Sequence, residues 1–258
     1  MRARVLGIGL WMPGFPDPAR WLEGRPVEGA DAPNAAAQAK LRRRGSLLVN
    51  MVADVAAQAS LQANLPLSRL RIVVGSAFGE LATMVDMLDE RERDGVVSPL
   101  RFQNSVHNAA AGQLSIANKN RTPATSLAAG NDTVAMTLLE AMTLLSLGGD
   151  EVIAIVADEP LPQSIRPGHH ATAIAAAVVL GRDAGAAADA PPALAVLQDL
   201  RQAPPLDGAE RPEEVDGPCA AILPLIAALT RGQSGRVAVS PTEDPRWTID
   251  VRDAREVG

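Results

Sequence analysis

The side chains with the widest chemical range in this sequence are three histidines and one cysteine: His107, His169, His170 and Cys219. In an extended segment adjacent side chains point to opposite faces, so His169 and His170 would not converge on one metal ion. No acidic residue stands at a spacing that would complete the four ligands of a zinc site. The sequence therefore predicts no metal site and no cofactor.

A serine-hydrolase triad can be written from the polar segment around His107. Ser105 would be the nucleophile, His107 the base and Asp132 the residue that orients the base. Ser105 does not follow a strand-to-helix elbow, the turn that exposes such a nucleophile. We therefore interpret His107 as a hydrogen-bonded or interface histidine.

Cys219 follows Pro218 at the start of a predicted helix, where a helix dipole can lower the pKa of a thiol. No nearby basic side chain would assist it, so packing as a small buried residue is the favoured interpretation. A single cysteine also excludes an internal disulfide and a cysteine-based zinc site, which fits a reducing compartment.

Two glycine-rich segments lack what nucleotide binding requires. Gly7-Ile8-Gly9 has Met12 where a dinucleotide fingerprint has its third glycine, and Pro13 begins a loop where a helix is needed. The segment 75–79 lacks the Gly-Lys-Ser/Thr sequence of a phosphate loop. We expect it to provide close packing between a strand and a helix.

Composition narrows the function classes further. The 258 residues include 24 Lys and Arg against 30 Asp and Glu, a net charge of −6, which predicts no surface for nucleic acid or anionic lipid. The chain has three Phe, three Trp and no Tyr, so few aromatic rings are present on which nucleic-acid bases could stack. Hydrophobic residues make up 47% of the chain, enough for a substantial core.

The longest apolar run, 171–180, has about half of the roughly 20 residues that a membrane-spanning helix needs. We therefore expect a cytoplasmic protein.

The elements that must position these residues alternate between strand and helix. Strands are predicted at 5–11, 71–75, 124–129, 151–157, 171–180, 193–200 and, as an edge strand, 247–251. Helices are predicted at 46–62, 79–93, 132–147 and 220–231, and the segment 13–38 is predicted to be a surface loop. The helix at 79–93 is expected to bury Leu81, Met84, Val85 and Leu88.

The segment 123–158 predicts a βαβ unit with parallel strands. Its helix has one apolar face, formed by Val134, Leu138, Met142 and Leu145. Asp132 stands where it can cap the helix.

Residues from 98 to 126 resemble the β-ketoacyl synthases of fatty acid and polyketide assembly. In outline, that family has Ser-Pro, Asn, Ala-Gly-His-Leu-Ser-Ile, Arg-Gly-Pro-Ser and a strand ending in Ala-Cys. The matching positions here, without a gap, are Ser98-Pro99, Asn108, Ala111-Gly112, Leu114-Ser115-Ile116, Arg121, Pro123 and Ser126. The segment 75–79 is similar to the family's glycine-rich strand end, and Arg42 to Arg44 to its basic motif before a long helix.

The resemblance implies an α/β, thiolase-like fold, essentially the N-terminal half of a ketosynthase, with a mixed sheet and covering helices. Most of the C-terminal half is missing, with the two histidines that the family uses there, since no histidine follows His170. We expect residues 1–200 to form the ketosynthase-like domain and residues 201–258 a short C-terminal extension packed on it.

The main departure from the family is at the nucleophile. The ungapped match places Asn131 where the family has its catalytic cysteine. In the family, the thiolate lies at a helix N-terminus, where the dipole and free N–H groups stabilise negative charge. Asn131 cannot act as a thioester nucleophile, and Asp132 adds a carboxylate at the same place. No catalytic residue is therefore expected.

A ketosynthase-like chain without a nucleophile is similar to the chain length factors, in particular to truncated forms associated with aryl polyene and xanthomonadin-type pigments. The resemblance implies a heterodimer with a catalytic ketosynthase, contact with acyl carrier protein through that complex, and a role in shaping the acyl tunnel. The residues expected at the interface or tunnel are Leu100, Arg101, Phe102, Asn104, Ser105, His107 and Asn108.

Two other interpretations remain open from the sequence. One is a degenerate thiolase-fold enzyme with its own hydrolase, acyltransferase or decarboxylase activity, using His107 or Cys219. The other is a self-associating scaffold or carrier-protein-binding module without control of chain length.

Overall fold

The computed structural model describes residues 1–33, 45–168, 171–183, 192–204, 216–241 and 247–256, except for the side chain of Leu100. His169, His170 and the basic segment from Arg42 to Arg44 lie outside the described residues. The strands are β1 (Arg2–Trp11), β2 (Arg71–Gly75), β3 (Ala124–Leu127), β4 (Glu151–Asp158), β5 (Ile174–Arg182), β6 (Ala195–Gln202), β7 (Gly235–Ala238) and β8 (Trp247–Asp253). The α-helices are α1 (Pro18–Leu22), α2 (Leu47–Ala63), α3 (Leu81–Asp94), α4 (Pro99–Asn104), α5 (Ala109–Ala117), α6 (Thr133–Ser146) and α7 (Leu223–Arg231).

All eight of these strands belong to one mixed sheet, in the order β3-β2-β4-β5-β1-β6-β8-β7. The neighbours β3, β2 and β4 are parallel, and the remaining neighbours are antiparallel. The predicted βαβ unit is confirmed, because β3 and β4 run parallel on either side of β2. The boundary proposed at residue 200 falls within β6, and β7 and β8 extend the same sheet.

Helices cover both faces of the sheet. Along β4, Val152, Ala154 and Val156 pack into the cluster that contains α6 and α7. The alternate residues Ile153 and Ile155 pack into the cluster that contains α2 and α5. A strand buried on both faces needs a continuous apolar run, and the sequence of β4 has one.

Several predicted elements have the expected bounds and caps. Strand β2 occupies the predicted residues, and α2 begins after Ser46, whose Oγ accepts a hydrogen bond from Val49 N at 3.1 Å. All four residues predicted for the apolar face of α6, Val134, Leu138, Met142 and Leu145, are buried. The periodic apolar pattern therefore identified the helices that lie on the sheet.

Three predictions about elements are wrong. Helix α3 buries Met87 and leaves Met84 and Leu88 exposed, because within the described chain it packs mainly on α4 and not on the sheet. Strand β8 is not an edge strand, since it lies between β6 and the short strand β7. The predicted loop at 13–38 contains helix α1, which begins after Asp17, whose side chain accepts a hydrogen bond from Arg20 N.

Candidate functional site

Asn131 lies in the turn that joins β3 to α6. A short 3-10 turn, Gly130–Asp132, leads into the helix, and Gly130 has a φ of +54°. Asn131 is exposed and lines a cavity of about 420 Å³. A side chain at this turn faces open space at the N-terminus of α6, where positive dipole charge is available.

Asp132 does not cap α6 with its side chain, so the sequence-based expectation is wrong here. Thr133 connects the turn instead: its Oγ1 accepts a hydrogen bond from Ala129 N at 3.1 Å and donates one to Gly130 O at 2.7 Å. The Thr133 hydroxyl can satisfy both backbone groups because it donates one hydrogen bond and accepts another. The Asp132 carboxylate is not needed for this turn.

The end of β2 packs against α6, the helix that Asn131 precedes. A Cβ on Gly75 would collide with Oγ1 of Thr137 on α6, so only glycine allows this approach of strand and helix. The predicted role of 75–79 in close packing is thereby confirmed. Beyond Gly75, the loop directs Phe78 to the cavity that Asn131 also lines.

Asp158, at the end of β4, fixes that loop. Its Oδ1 accepts hydrogen bonds from Ser76 Oγ at 2.8 Å, Ala77 N at 2.9 Å and Phe78 N at 3.4 Å. Ser76 Oγ in turn accepts a hydrogen bond from Gly79 N at 2.8 Å. Burial raises the pKa of Asp158, and the hydrogen bonds from Cys219, Ser76 and the two backbone amides oppose that shift.

Glu159, the next residue, is 8% exposed and lies near three other carboxyl groups. Burial raises the pKa of Glu159 from 4.5 to about 7, and the charges of Glu80, Asp86 and Asp158 add to the shift. A hydrogen bond from Ala82 N, in the first turn of α3, lowers it in part. The Glu159 carboxyl group therefore lies near the start of α3, whose N-cap residue Glu80 makes no capping bond of its own.

Glu80 joins α3 to the start of α2. Its Oε1 accepts a hydrogen bond from Ser46 Oγ at 2.6 Å, and its Oε2 accepts one from Thr83 Oγ1 at 2.9 Å. Burial raises the pKa of Glu80, while the bonds from Ser46 and Thr83 lower it. The sequence analysis did not identify this carboxyl group or those of Asp158 and Glu159. The sequence does contain one signal for this site, because the acidic pair Asp158-Glu159 stands at the end of an apolar strand.

Cys219 is fully buried, as the sequence interpretation expected. Burial raises the pKa of its thiol well above the ordinary value, and the Asp158 carboxylate raises it further. A thiol that is neutral and closed to solvent cannot attack a substrate. The structure therefore gives no support to Cys219 as a nucleophile.

His107 is held against the loop after β2. Its Nε2 donates a hydrogen bond to Ser76 O at 2.9 Å, and its ring lies so close to Gly79 that a Cβ there would be 2.7 Å from Cδ2. Ser105 Oγ donates to Phe102 O at 3.0 Å, and no hydrogen bond joins Ser105, His107 and Asp132 within the described ranges. The triad written from the sequence is not assembled.

The other residues expected at the interface lie on or beside α4. Arg101 pairs with Glu90 on α3 at 3.0 Å, and Phe102 is 60% exposed. Asn104 Oδ1 accepts a hydrogen bond from Gln113 Nε2 at 2.7 Å, and Asn108 precedes α5 without capping it. Leu100 belongs to α4, but its side chain is not described. These contacts hold α4 between α3 and α5 with its aromatic side chain exposed.

The described ranges contain no group of three or more His, Cys, Asp or Glu side chains arranged to hold a metal ion. Within the same ranges no helix combines the length and apolar character needed to cross a bilayer.

Solved structures with this fold include proteins of the ketosynthase and chain length factor type. A ketosynthase, ApeO, in complex with its chain length factor, ApeC, from Xenorhabdus doucetiae matches with a TM-score of 0.68 and 20% identity, covering 98% of this chain and 99% of that one. The ishigamide ketosynthase/chain length factor matches with a TM-score of 0.73 and 14% identity, covering 97% and 99%. AntDE:AntF, a type II PKS acyl-carrier protein in complex with its ketosynthase bound to the hexaketide, matches with a TM-score of 0.76 and 13% identity, covering 98% and 99%.

No curated protein sequence matches the chain. The sequence profile of the β-ketoacyl synthase N-terminal domain, in contrast, matches residues 19–247, which is most of the 258 residues. This match agrees with the mixed sheet, the covering helices and the strand-turn-helix at Asn131. The chain therefore belongs to the β-ketoacyl synthase N-terminal domain family and has its thiolase-like fold.

Proposed function

We propose that this chain is a noncatalytic ketosynthase-like subunit, of the chain length factor type, that forms a heterodimer with a catalytic β-ketoacyl synthase. The observation that carries the proposal is Asn131 in the strand-to-helix turn where the family resemblance expects a cysteine. An amide cannot form an acyl thioester, and the single thiol of the chain, Cys219, is fully buried. The likeness to solved ketosynthase/chain length factor complexes supports this assignment.

The edge of the sheet at β3 supports a role in pairing. Pro123 O and Leu127 O accept hydrogen bonds from Ile72 N and Ser76 N, so the alternate residues Ala124 and Ser126 direct their backbone groups away from β2. An edge strand with free backbone groups is a template for a strand of a second chain. β3 is therefore suited to the centre of a heterodimer interface.

Exposed apolar side chains also lie on and near α4. Phe102, Val106, Met84 and Leu88 are exposed on α3, on α4 and just after α4. Apolar side chains grouped in this way are typical of protein interaction sites. In our proposal they contact the partner ketosynthase, and the segment of α4 limits the acyl tunnel. Acyl carrier protein would reach the complex through the catalytic subunit, in the cytoplasm, in synthesis of the polyene or polyketide type.

Co-expression with a catalytic β-ketoacyl synthase from the same organism tests the heterodimer. We expect the two chains to co-purify in equal amounts and to elute together on size exclusion. Ser126→Pro should abolish the complex, because proline removes an N–H that faces the open edge of β3. Ser126→Ala, which keeps that N–H, should preserve the complex. A chain that never co-purifies with the ketosynthase, or that acquires a covalent acyl group from carrier-protein thioesters, would contradict the proposal.

Substitutions on α4 test control of chain length. We expect Phe102→Ala or Arg101→Ala to change the length distribution of the products while the complex survives. Removing Phe102 empties space at the surface, and removing Arg101 breaks its pair with Glu90 and frees α4 to shift. Mass spectrometry of products from the reconstituted complex would measure the change. Glu90→Gln, which breaks the same pair from the other side, should reproduce the effect of Arg101→Ala. An unchanged product profile for Phe102→Ala and Arg101→Ala would overturn the assignment.

A further inference from the structure

Residues 80–106, which contain α3 and α4, form a flap on the surface whose two ends meet. Gly79 precedes the flap and His107 follows it, and a Cβ added to Gly79 would lie 2.7 Å from Cδ2 of the His107 ring. Between these ends, the described side chains are buried only at Glu80 and Met87. A segment with so few buried side chains has a low local stability, so it can open while the sheet stays folded.

The flap is joined to the rest of the chain near the start of α3, where two buried carboxyl groups interact. Glu80, 2% exposed, belongs to the flap, and Glu159, 8% exposed, follows β4. Ser46 Oγ donates a hydrogen bond to Glu80 Oε1 at 2.6 Å, and Ala82 N donates one to Glu159. Oε1 of Glu159 has no hydrogen-bond partner among the described residues. A negative charge on Glu159 is therefore poorly compensated while the flap is closed.

The charged groups around Glu159 are mostly acidic. Three carboxyl groups add to the effect of burial and raise its pKa to about 7: those of Glu80 and Asp86 on the flap and that of Asp158 on β4. Arg166 and Asp216 line the same cavity as Glu159, but both are exposed and solvent screens their charges. When the flap opens, water reaches Glu159 and its pKa falls toward the ordinary value of 4.5. A closed flap therefore favours the protonated form of Glu159.

We propose that residues 80–106 open as a flap about Gly79 and His107, and that ionisation of Glu159 promotes the opening. Between pH 4.5 and about 7, the closed form binds more protons than the open form, because only the closed form raises the pKa of Glu159. The open fraction should therefore increase as the pH rises through this range and become constant above it. Protonation of one carboxyl group thus controls how firmly α3 is held.

Opening of the flap moves part of the surface that is proposed to contact the ketosynthase. Arg101 on α4 pairs with Glu90 on α3 at 3.0 Å, so the two helices move together, and the exposed Phe102 moves with them. The movement also breaks the half-buried hydrogen bond from Gln113 Nε2 on α5 to Asn104 Oδ1. The effect on the partner rests on the proposed function, whereas the flap is a property of this chain and is tested without the partner.

Amide hydrogen exchange of the purified full chain, at about pH 5 and about pH 7, tests the flap. The exchange rates are divided into the intrinsic rates at each pH to give protection factors, which report the opening equilibrium. We expect lower protection factors in α3 than in α6 at both pH values, because α3 opens without the sheet. The protection factors in α3 should fall by about tenfold or more from the lower to the higher pH.

Two variants separate the effect of Glu159 from other effects of pH. In Glu159→Gln, which cannot ionise, the protection factors in α3 should change by less than about twofold between the two pH values. Glu92→Gln, an exposed glutamate on the same helix, is the matched control and should show the fall seen in the wild type. Equal protection of α3 and α6 would overturn the proposal, since α3 would then open only when the whole chain unfolds. Protection factors in α3 that do not depend on pH in the wild type, or an undiminished fall in Glu159→Gln, would overturn it as well.

Discussion

Replacing Asp158 by alanine is expected to lower the free energy of unfolding by about 2–3 kcal/mol. The substitution removes the acceptor of the Ser76 hydroxyl and the Ala77 amide, and both donors are left in a buried loop. Each unsatisfied buried donor costs about 1–3 kcal/mol, and removal of a carboxyl group whose burial raises its pKa offsets part of that cost. Urea unfolding at neutral pH, followed by circular dichroism, measures the difference.

Asp158→Asn is the matched variant for this prediction. The amide keeps an oxygen in the position of Oδ1, so the hydrogen bonds from Ser76, Ala77 and Phe78 survive, and the loss should be below about 1 kcal/mol. Combining Asp158→Ala with Ser76→Ala should cost about 1 kcal/mol less than the two single losses added together, since the two side chains share one bond. A stability of Asp158→Ala within about 0.5 kcal/mol of the wild type would show that this carboxyl group does not hold the loop.

The sequence predicted best those elements whose pattern is set by burial against the sheet. Strand β4 is a continuous apolar run because both of its faces are buried, and helix α6 has apolar residues at a period of 3.6 because one face is buried. Their positions followed from these patterns. Asn131 was placed by the ungapped family match, and it falls between a strand and a helix that were both predicted from their patterns.

The short helices, and the helix that packs away from the sheet, were missed or wrongly oriented. Helices α1, α4 and α5 are 5, 6 and 9 residues long, too short for a period to be distinguished from a loop. Helix α3 has a clear apolar pattern, but what covers that face depends on contacts far apart in the chain. Met84 and Leu88 are exposed here because no layer of the sheet lies beside them in the described part of the chain.

The acidic cluster shows the same limit at the level of a site. Asp158 and Glu159 are consecutive, but Glu80 stands far from them in sequence and reaches Glu159 only because β2 and β4 are adjacent. Strands β2 and β4 were predicted from the sequence, yet the order of the strands in the sheet was not available from the pattern. A raised pKa results from burial and from neighbours in space, so it could not be predicted before the order of the strands was known.

Glu159→Gln is expected to stabilise the chain, and to do so more as the pH rises. In the unfolded chain this carboxyl group ionises at 4.5, and in the folded chain burial raises its pKa to about 7. The folded state therefore binds more protons than the unfolded state between these values, and stability falls as the pH increases through this range. Glutamine has no proton to lose and escapes that fall. Its advantage should grow from about 1 kcal/mol at about pH 5 to about 3 kcal/mol at about pH 8.

Unfolding by urea across this pH range, for the wild type, Glu159→Gln and the exposed control Glu92→Gln, separates this effect from the general pH response of the protein. Glu92→Gln should follow the wild type within about 0.5 kcal/mol at every pH, because Glu92 is exposed on α3. The amide introduced by Glu159→Gln keeps an oxygen that can accept a hydrogen bond from Ala82 N. A difference between Glu159→Gln and the wild type that does not change with pH would mean that Glu159 ionises at the same pH in the folded and unfolded chain. In that case burial would not raise the pKa of this carboxyl group.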